Sequence, residues 1–162
     1  MKEQSPKFQR REVLALAGLT GFSALLTATA ASAATDPASA KQSPAETENA
    51  RVVTAFCKTW STRDLSKVLE YLADDCVYRM TETTPTVTGH KAIAERLQPA
   101  VEKSDQVEFR VLETFARGPL VLNHRVDSFK SKTRPLSWEG VGLFFLQNGK
   151  IKEWSDYTIR VS

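Results

Sequence analysis

A change of hydrophobic period near Gln106 constrains the fold of this chain more than any other feature of the sequence. Before this point apolar residues recur at every fourth position, as at Val52, Phe56 and Trp60, which predicts helices with one apolar face. After it, apolar and charged residues alternate, which predicts strands. We therefore expect consecutive strands from the second half of the chain to pack against helices from the first half.

Three helices and one strand are predicted before Gln106. The first helix begins at Ser43, because Ser43 can cap it, Pro44 fits the first turn and Glu46 can close a capping box. Pro99 should break or kink the third helix. The expected bounds are Ser43 onward for the first helix, Asp64 to Asp75 for the second, Cys76 to Thr81 for the strand and about His90 to Leu97 for the third helix.

Four strands are predicted from Gln106 onward, and turn sequences separate them. Asn148-Gly149 is a strong signal for a type I′ hairpin. Antiparallel strands packed on one side by early helices predict an α+β fold, in which a curved mixed or antiparallel sheet cups the helices. A pocket between the two layers is a usual place for a small-molecule site. The strands are expected from Gln106 to the Gly118-Pro119 turn, and over Leu120 to Phe129, Leu136 to Gln147 and Lys150 to Arg160.

The first 33 residues have the three parts of an export signal. A basic start that ends in Arg10-Arg11 precedes an uncharged run from Val13 to Ala34, and Ala31-Ser32-Ala33 fits the small-residue pattern of a cleavage site. The arginine pair resembles the twin-arginine type of signal, so we expect a periplasmic or secreted protein. An uncleaved membrane anchor at the N-terminus is the alternative, since the uncharged run is long enough to span a bilayer.

These features predict an export signal over residues 1–33, a disordered linker over 34–43 and one domain over 44–162. The signal holds four of the 22 basic residues and two of the 19 acidic residues, so the mature chain is close to neutral although the whole chain carries +3. Balanced charge is not typical of nucleic-acid or membrane-surface binding. We therefore expect neither a nucleic-acid partner nor stable membrane association after cleavage.

The chain has two cysteines, Cys57 and Cys76. An exported compartment permits a disulfide between them, but their spacing does not require one. Two buried free thiols are the simpler interpretation. Because the sequence has no cluster of residues with metal-ligand spacing, no metal site is predicted.

Arg125 and Asp127 are the first candidates for chemistry. They lie two residues apart on a predicted strand, so both side chains share one face with Asn123. If Asp156 and Trp154 on the last strand also point inward, two carboxylates can flank one guanidinium. Unequal burial would then separate the two pKa values, so that one carboxyl donates a proton while the other accepts one from water. A structural ion pair on a solvated face is the alternative.

Tyr78, on the first predicted strand, could face the same cavity. Its hydroxyl could hold a water or a substrate oxygen, although a tyrosine buried in the core is the alternative. The two histidines, His90 and His124, lie near no Ser or Cys arrangement that indicates a nucleophilic triad.

Several segments together resemble the limonene-epoxide hydrolases. The most specific are an Arg-x-Asp and a Trp-x-Asp-Tyr, and the matching segments are Tyr78, Val87 to Ile93, Val121 to Asp127, Gly140 to Leu146 and Gly149 to Tyr157. The resemblance covers about Asn49 to Ile159 and extends to the nuclear transport factor 2-like superfamily, which also holds SnoaL-like polyketide cyclases and ketosteroid isomerases. It implies a cone-shaped α+β fold, a cystatin-like roll, with a deep apolar pocket and often a homodimeric assembly.

The resemblance also implies a reaction, the hydrolysis of a small apolar epoxide to a diol in one step and without a cofactor. Carried over to this chain, Asp156 is the general base that activates water, and Asp127 is the general acid that protonates the epoxide oxygen. Arg125 sits between them, and Tyr78 helps to position the water.

Met80 is the position at which this chain departs from the family pattern. The family has an Asn there that also holds the water, and a thioether cannot replace an amide as a hydrogen-bond partner. Met80, Asn123 and Trp154 are expected to line the pocket. The departure keeps two other functions open, a non-catalytic protein that binds a small hydrophobic ligand, and a SnoaL-like or ketosteroid-isomerase-like lyase or isomerase.

Overall fold

The computed structural model describes residues 41–131, 133 and 135–161. The predicted export signal, its alternative as a membrane anchor and most of the predicted linker lie outside these residues. Within the described residues, no helix is long and apolar enough to cross a membrane.

The first two helices begin where capping chemistry predicts. Ser43 Oγ accepts a hydrogen bond from Glu46 N at 3.2 Å, and Ser43 N donates to Glu46 Oε2 at 2.6 Å, which confirms the capping box. Asp64 caps the second helix by accepting from Ser66 N at 3.1 Å. The helices are α1 (Pro44–Thr59), which continues into a 3₁₀ turn (Trp60–Thr62), α2 (Leu65–Leu69) and α3 (Gly89–Glu102).

The predicted end of the third helix at Leu97 is wrong. α3 continues through Pro99 to Glu102, because its apolar face continues as well. Leu97 and Val101 are 5% and 4% exposed, so burial of Val101 offsets the hydrogen bond that proline cannot donate. The helix therefore extends about one turn further along the sheet than the sequence indicates.

Six strands form one sheet in the order β2-β1-β6-β5-β4-β3. β1 runs parallel to β6, and the other neighbours are antiparallel, which confirms the α+β fold with a mixed sheet. The strands are β1 (Leu72–Arg79), β2 (Val87–Thr88), β3 (Gln106–Arg117), β4 (Leu120–Lys130), β5 (Leu136–Gln147) and β6 (Lys150–Val161).

β1 begins earlier than the sequence predicts. The expected extension of the second helix to Asp75 is wrong, since α2 ends at Leu69 and Leu72 already pairs with Ile151 in β6. The last four strands, by contrast, match their predicted bounds to within one residue. The Asn148-Gly149 hairpin is confirmed, because both residues have the positive φ that a type I′ turn requires, 52° and 73°.

The sheet curves around the helices. Register shifts interrupt the β3–β4 and β5–β6 ladders, and such irregularities bend a sheet locally. α1 packs on the inner face, where Phe56 lies with its ring centroid 5.0 Å from that of Trp154. Both cysteines are buried and free, as the simpler interpretation predicts, and burial raises the pKa of each thiol to about 12.

Candidate active site

Arg125 is held between two carboxylates on the inner face of the sheet. Its Nε donates to Asp127 Oδ1 at 2.9 Å, and its Nη2 donates to Asp156 Oδ1 at 2.6 Å. Arg125 and Asp127 lie two residues apart on β4, while Asp156 reaches the guanidinium from β6, across β5. The structure thus contains the predicted arrangement of two acids around one arginine.

Gly142 provides the space for this guanidinium. It lies in β5 between the two strands that carry the acids, and a Cβ at this position would overlap Arg125 Nη1 and stand 2.5 Å from a ring carbon of Phe144. The Arg125 Cζ also lies 5.1 Å from the ring centroid of Phe109 and 5.9 Å from that of Phe144. Arg125 is only 1% exposed, so packing contacts restrain the guanidinium in addition to its two ion pairs.

An apolar cavity of about 330 Å³ opens beside the two carboxylates. Of the described residues that line it, only Asp127 and Asp156 are charged, and Arg125 lies behind them rather than in the wall. Aromatic side chains form much of the remaining wall, contributed by Trp60, Tyr78, Phe109, Phe129, Trp138 and Trp154. The cavity therefore presents two carboxyl groups to a space that otherwise favours hydrocarbon.

Met80 and Trp154, which are both expected in the pocket, line the cavity, whereas Asn123 is not among the described residues that line it. Asn123 does lie on the inner face of β4, yet its side chain is fully buried beneath α1. Its Nδ2 donates to Thr114 Oγ1 at 2.7 Å, and its Oδ1 accepts from Cys57 Sγ at 3.4 Å. The amide nitrogen and the amide oxygen both have protein partners, so Asn123 packs between the sheet and α1 and does not face the cavity.

Asp156 has one fixed oxygen and one free oxygen. Its Oδ1 accepts from Arg125 Nη2 and, at 2.8 Å, from Trp154 Nε1. Among the described residues its Oδ2 has no hydrogen-bond partner, and the residue lines the cavity. A carboxylate that is oriented through one oxygen and open at the other can accept a proton from a bound water.

Tyr78 stacks on Trp154, with ring centroids 4.0 Å apart, and lines the same cavity. Within the part of the chain that the structure describes, its hydroxyl has no hydrogen-bond partner. Burial raises the pKa of this phenol well above its ordinary value, so it remains a neutral donor and acceptor. Tyr78 is therefore available to a water or a substrate oxygen.

The surroundings of the two acids differ in a way that separates their protonation. Burial raises the pKa of Asp127 to about 7, against the lowering effect of Arg125 and with a further increase from the charge of Asp156. Burial also raises the pKa of Asp156, but that side chain is 17% exposed against 3% for Asp127, and it accepts from two side chains. Asp156 is thus the acid that ionises first, and Asp127 holds a proton near neutral pH.

The sequence pattern does not single out some other residues of the cavity wall. Ala100 lines it because α3 continues past its expected end, and Thr81 and Thr158 line it near Met80. Glu82, which has no evident place in the sequence pattern, accepts a hydrogen bond from Thr158 N at 2.8 Å. No group of three or more His, Cys, Asp or Glu among residues 41–131, 133 and 135–161 is placed to hold a metal ion.

We predict that Asp127 titrates near pH 7 and that Asp156→Asn lowers its pKa, because this substitution removes a neighbouring negative charge. Carboxyl ¹³C NMR measures both pKa values, and the exposed Asp105→Asn is the control.

The pH dependence of stability gives a second measurement of the Asp127 pKa. The folded protein binds a proton that the unfolded chain releases at about pH 4, so unfolding becomes easier as pH rises from about 4 to 7. Asp127→Asn reduces this dependence, and the part that remains comes from Asp156, whose pKa burial also raises. A wild-type Asp127 that titrates near pH 4 would contradict the assignment.

Comparison with known proteins agrees with the fold. Residues 53–154 match the family model of the SnoaL-like domain. An LEH-like epoxide hydrolase of M. tuberculosis is 27% identical, with a TM-score of 0.60 over 71% of this chain and 85% of that chain.

Two further solved structures show the same fold at lower identity. A protein described as a SnoaL-like polyketide cyclase, from Jannaschia sp. CCS1, is 16% identical, with a TM-score of 0.65 over 74% of this chain and 91% of that one. A Catenulispora acidiphila protein with a ketosteroid isomerase-like fold, in complex with trimethylamine, is 19% identical, with a TM-score of 0.59 over 65% and 83% of the two chains. The family match spans most of the described domain, and the chain belongs to the SnoaL-like domain family.

Proposed function

We propose that this protein hydrolyses a small apolar epoxide to a diol. The observation that carries the proposal is Arg125, held between two unequally buried carboxylates that both line an apolar cavity. The likeness to an LEH-like epoxide hydrolase supports the same chemistry. Folds of the SnoaL-like kind also bind small hydrophobic ligands, which agrees with the wall of this cavity.

In the proposed reaction, Asp156 Oδ2 removes a proton from a water molecule as the water oxygen attacks one epoxide carbon. The bond between that carbon and the epoxide oxygen breaks, and its electron pair remains on the oxygen. Asp127 donates its proton to this oxygen, which completes the diol. Arg125 stays protonated throughout and keeps both carboxyl groups in place. Proton exchange with solvent then restores Asp127 to its acid form and Asp156 to its base form.

The cavity limits the substrates that can enter. Its volume of about 330 Å³ lies at the small end of the range of ligand pockets, roughly 300 to 1,000 Å³. Its described wall offers no cationic side chain to a carboxylate or phosphate, and burying such a charge among apolar groups would be costly. We infer a neutral substrate with about one ring, such as a terpene, cyclic or aryl epoxide.

Two alternatives fit the same cavity without epoxide hydrolysis. Met80 removes an amide from the place where the family holds its water, which favours a protein that only binds a hydrophobic ligand. A lyase or isomerase would use Asp156 to remove a proton from carbon instead of from water. Binding of epoxides without turnover would support the first alternative, and proton exchange at carbon would support the second.

We predict that Asp156→Asn and Asp127→Asn each reduce diol formation by about 100-fold or more, because each removes one of the two proton-transfer groups. The measurement is diol formation by purified protein with limonene oxide, cyclohexene oxide and styrene oxide. Asp105→Asn, an exposed acid, is the matched control. Activity close to that of the wild type in either dyad variant, with the fold intact by circular dichroism, would contradict the assignment.

We predict that Met80→Asn increases hydrolysis of the same epoxides, by up to about 100-fold, because the restored amide would hold the attacking water in line. The measurement is kcat/KM for each epoxide. Met80→Leu, which keeps the apolar bulk and adds no hydrogen-bonding group, is the control and should show no gain. Equal activity of the Asn and Leu variants would mean that water is positioned by other groups, of which Tyr78, Thr81 and Thr158 line the cavity.

The outer face of the sheet carries a group of exposed apolar side chains. They are Phe115, Leu120, Leu122, Phe145 and Tyr157, each between 38% and 45% exposed. Because these side chains are neighbours on one face of the sheet, we propose that a second copy of the chain covers this patch. Analytical ultracentrifugation should show a dimer that Leu122→Lys converts to a monomer, while Glu108→Lys does not. A wild-type monomer at micromolar concentration would overturn the proposal.

A further inference from the structure

The parallel ladder between β1 and β6 ends next to the cavity. Tyr78 pairs with Trp154 and Arg79 pairs with Ser155, and β1 goes no further. The chain then makes a tight turn, in which Thr84 N donates to Thr81 O at 3.2 Å. β6 continues to Val161, so beyond Ser155 this edge of β6 has backbone groups that β1 no longer pairs.

A side chain takes the place of the missing strand. Continuing the register beyond Arg79 and Ser155 would bring Glu82 opposite Thr158, and these two residues are indeed joined. The contact uses the carboxylate, with Glu82 Oε1 accepting from Thr158 N at 2.8 Å. Glu82 thus ties the turn back to β6 at the position where its own backbone would have paired.

The residues on both sides of this contact form part of the cavity wall. Met80 and Thr81 precede Glu82, and Thr158 is its partner, and all three line the cavity beside Asp156. Loss of the contact would free the 80–84 segment from β6. The wall next to the attacking water would then lose its fixed position.

We propose that Glu82 is a positioning residue, a clasp that fixes Met80 and Thr81 in the cavity wall beside Asp156. The clasp stands on the geometry alone, whereas its effect on diol formation rests on the proposed function. The hydrogen bond should survive in Glu82→Gln, whose amide oxygen can also accept, and should be lost in Glu82→Ala.

The charge of Glu82 has a second effect that separates it from a purely structural contact. Burial is the main cause of the raised pKa of Asp156, and the Glu82 carboxylate raises it further. The other titratable or charged groups coupled to Asp156 are Arg125 and Asp127 from β4, Tyr78 from β1 and Cys57 from α1. Both Glu82→Gln and Glu82→Ala should therefore lower the pKa of Asp156. The acidic limb of the pH–rate profile should then move to lower pH.

The experiment compares Glu82→Gln, Glu82→Ala and the control Glu108→Ala, an exposed acid on the outer face of β3. Hydrogen exchange of the Thr158 amide, followed by NMR on the purified full chain, reports the clasp. Exchange should be about tenfold faster in Glu82→Ala, and unchanged in Glu82→Gln and in the control. KM for cyclohexene oxide should rise about tenfold in Glu82→Ala only, because a displaced wall weakens contact with the bound epoxide.

The outcomes separate the clasp from the proposed function. Unchanged Thr158 exchange in Glu82→Ala would overturn the clasp. Faster exchange with the same KM in the Ala and Gln variants would overturn the positioning role. If the wild type forms no diol, the proposed function fails, and the clasp is judged by exchange and by the affinity for cyclohexene oxide from tryptophan fluorescence. A tenfold weaker affinity in Glu82→Ala but not in Glu82→Gln would still support it.

Discussion

The buried guanidinium of Arg125 is the constraint on which the rest of this structure depends. An ion at 1% exposure is costly to bury unless charges and hydrogen bonds of good geometry surround it. Asp127 meets this need from the same strand, and Asp156 meets it from two strands away. The arrangement requires that β5 stand between β4 and β6 and that it carry no side chain at Gly142, where a Cβ would overlap the guanidinium. The strand order, the glycine at position 142 and the two acids are therefore all required by the burial of this one guanidinium.

The same constraint gives the two acids different properties. Each would be an ordinary ionised carboxylate in water, but the apolar wall excludes water from both and so raises the pKa of both. Asp127, the more deeply buried, keeps its proton near neutral pH, while Asp156 has its charge stabilised by Arg125 and by Trp154. Because the two side chains are packed differently, Asp127 can act as an acid and Asp156 as a base at the same pH. The proposed hydrolysis uses this difference, and the cavity beside it selects small neutral molecules.

Some of this site could be predicted from the sequence, and the limit has a physical cause. Period two places Arg125 and Asp127 on one inner face, which is a local property of a strand. Whether Asp156 reaches Arg125 depends on strand order, which periodicity does not encode. The sequence therefore predicts this contact only on the condition that the face of the last strand that carries Asp156 points inward. Asn123 shares the face of Arg125 but lies under α1, and only the path of that helix distinguishes the two positions. Ala100 lines the cavity because of where α3 ends, and Glu82 meets Thr158 because of the register of β1 against β6. Neither feature is a local property of the chain.

The central claim is that water, activated by Asp156, attacks the epoxide directly. A single-turnover reaction in ¹⁸O water, with enzyme in excess over cyclohexene oxide, tests it. If water attacks the epoxide directly, the diol carries one ¹⁸O atom from the first turnover, and the carboxyl groups of Asp127 and Asp156 remain unlabelled. An unlabelled diol in the first turnover, with ¹⁸O in an aspartate, would show a covalent ester intermediate and contradict the account, as would the absence of any diol.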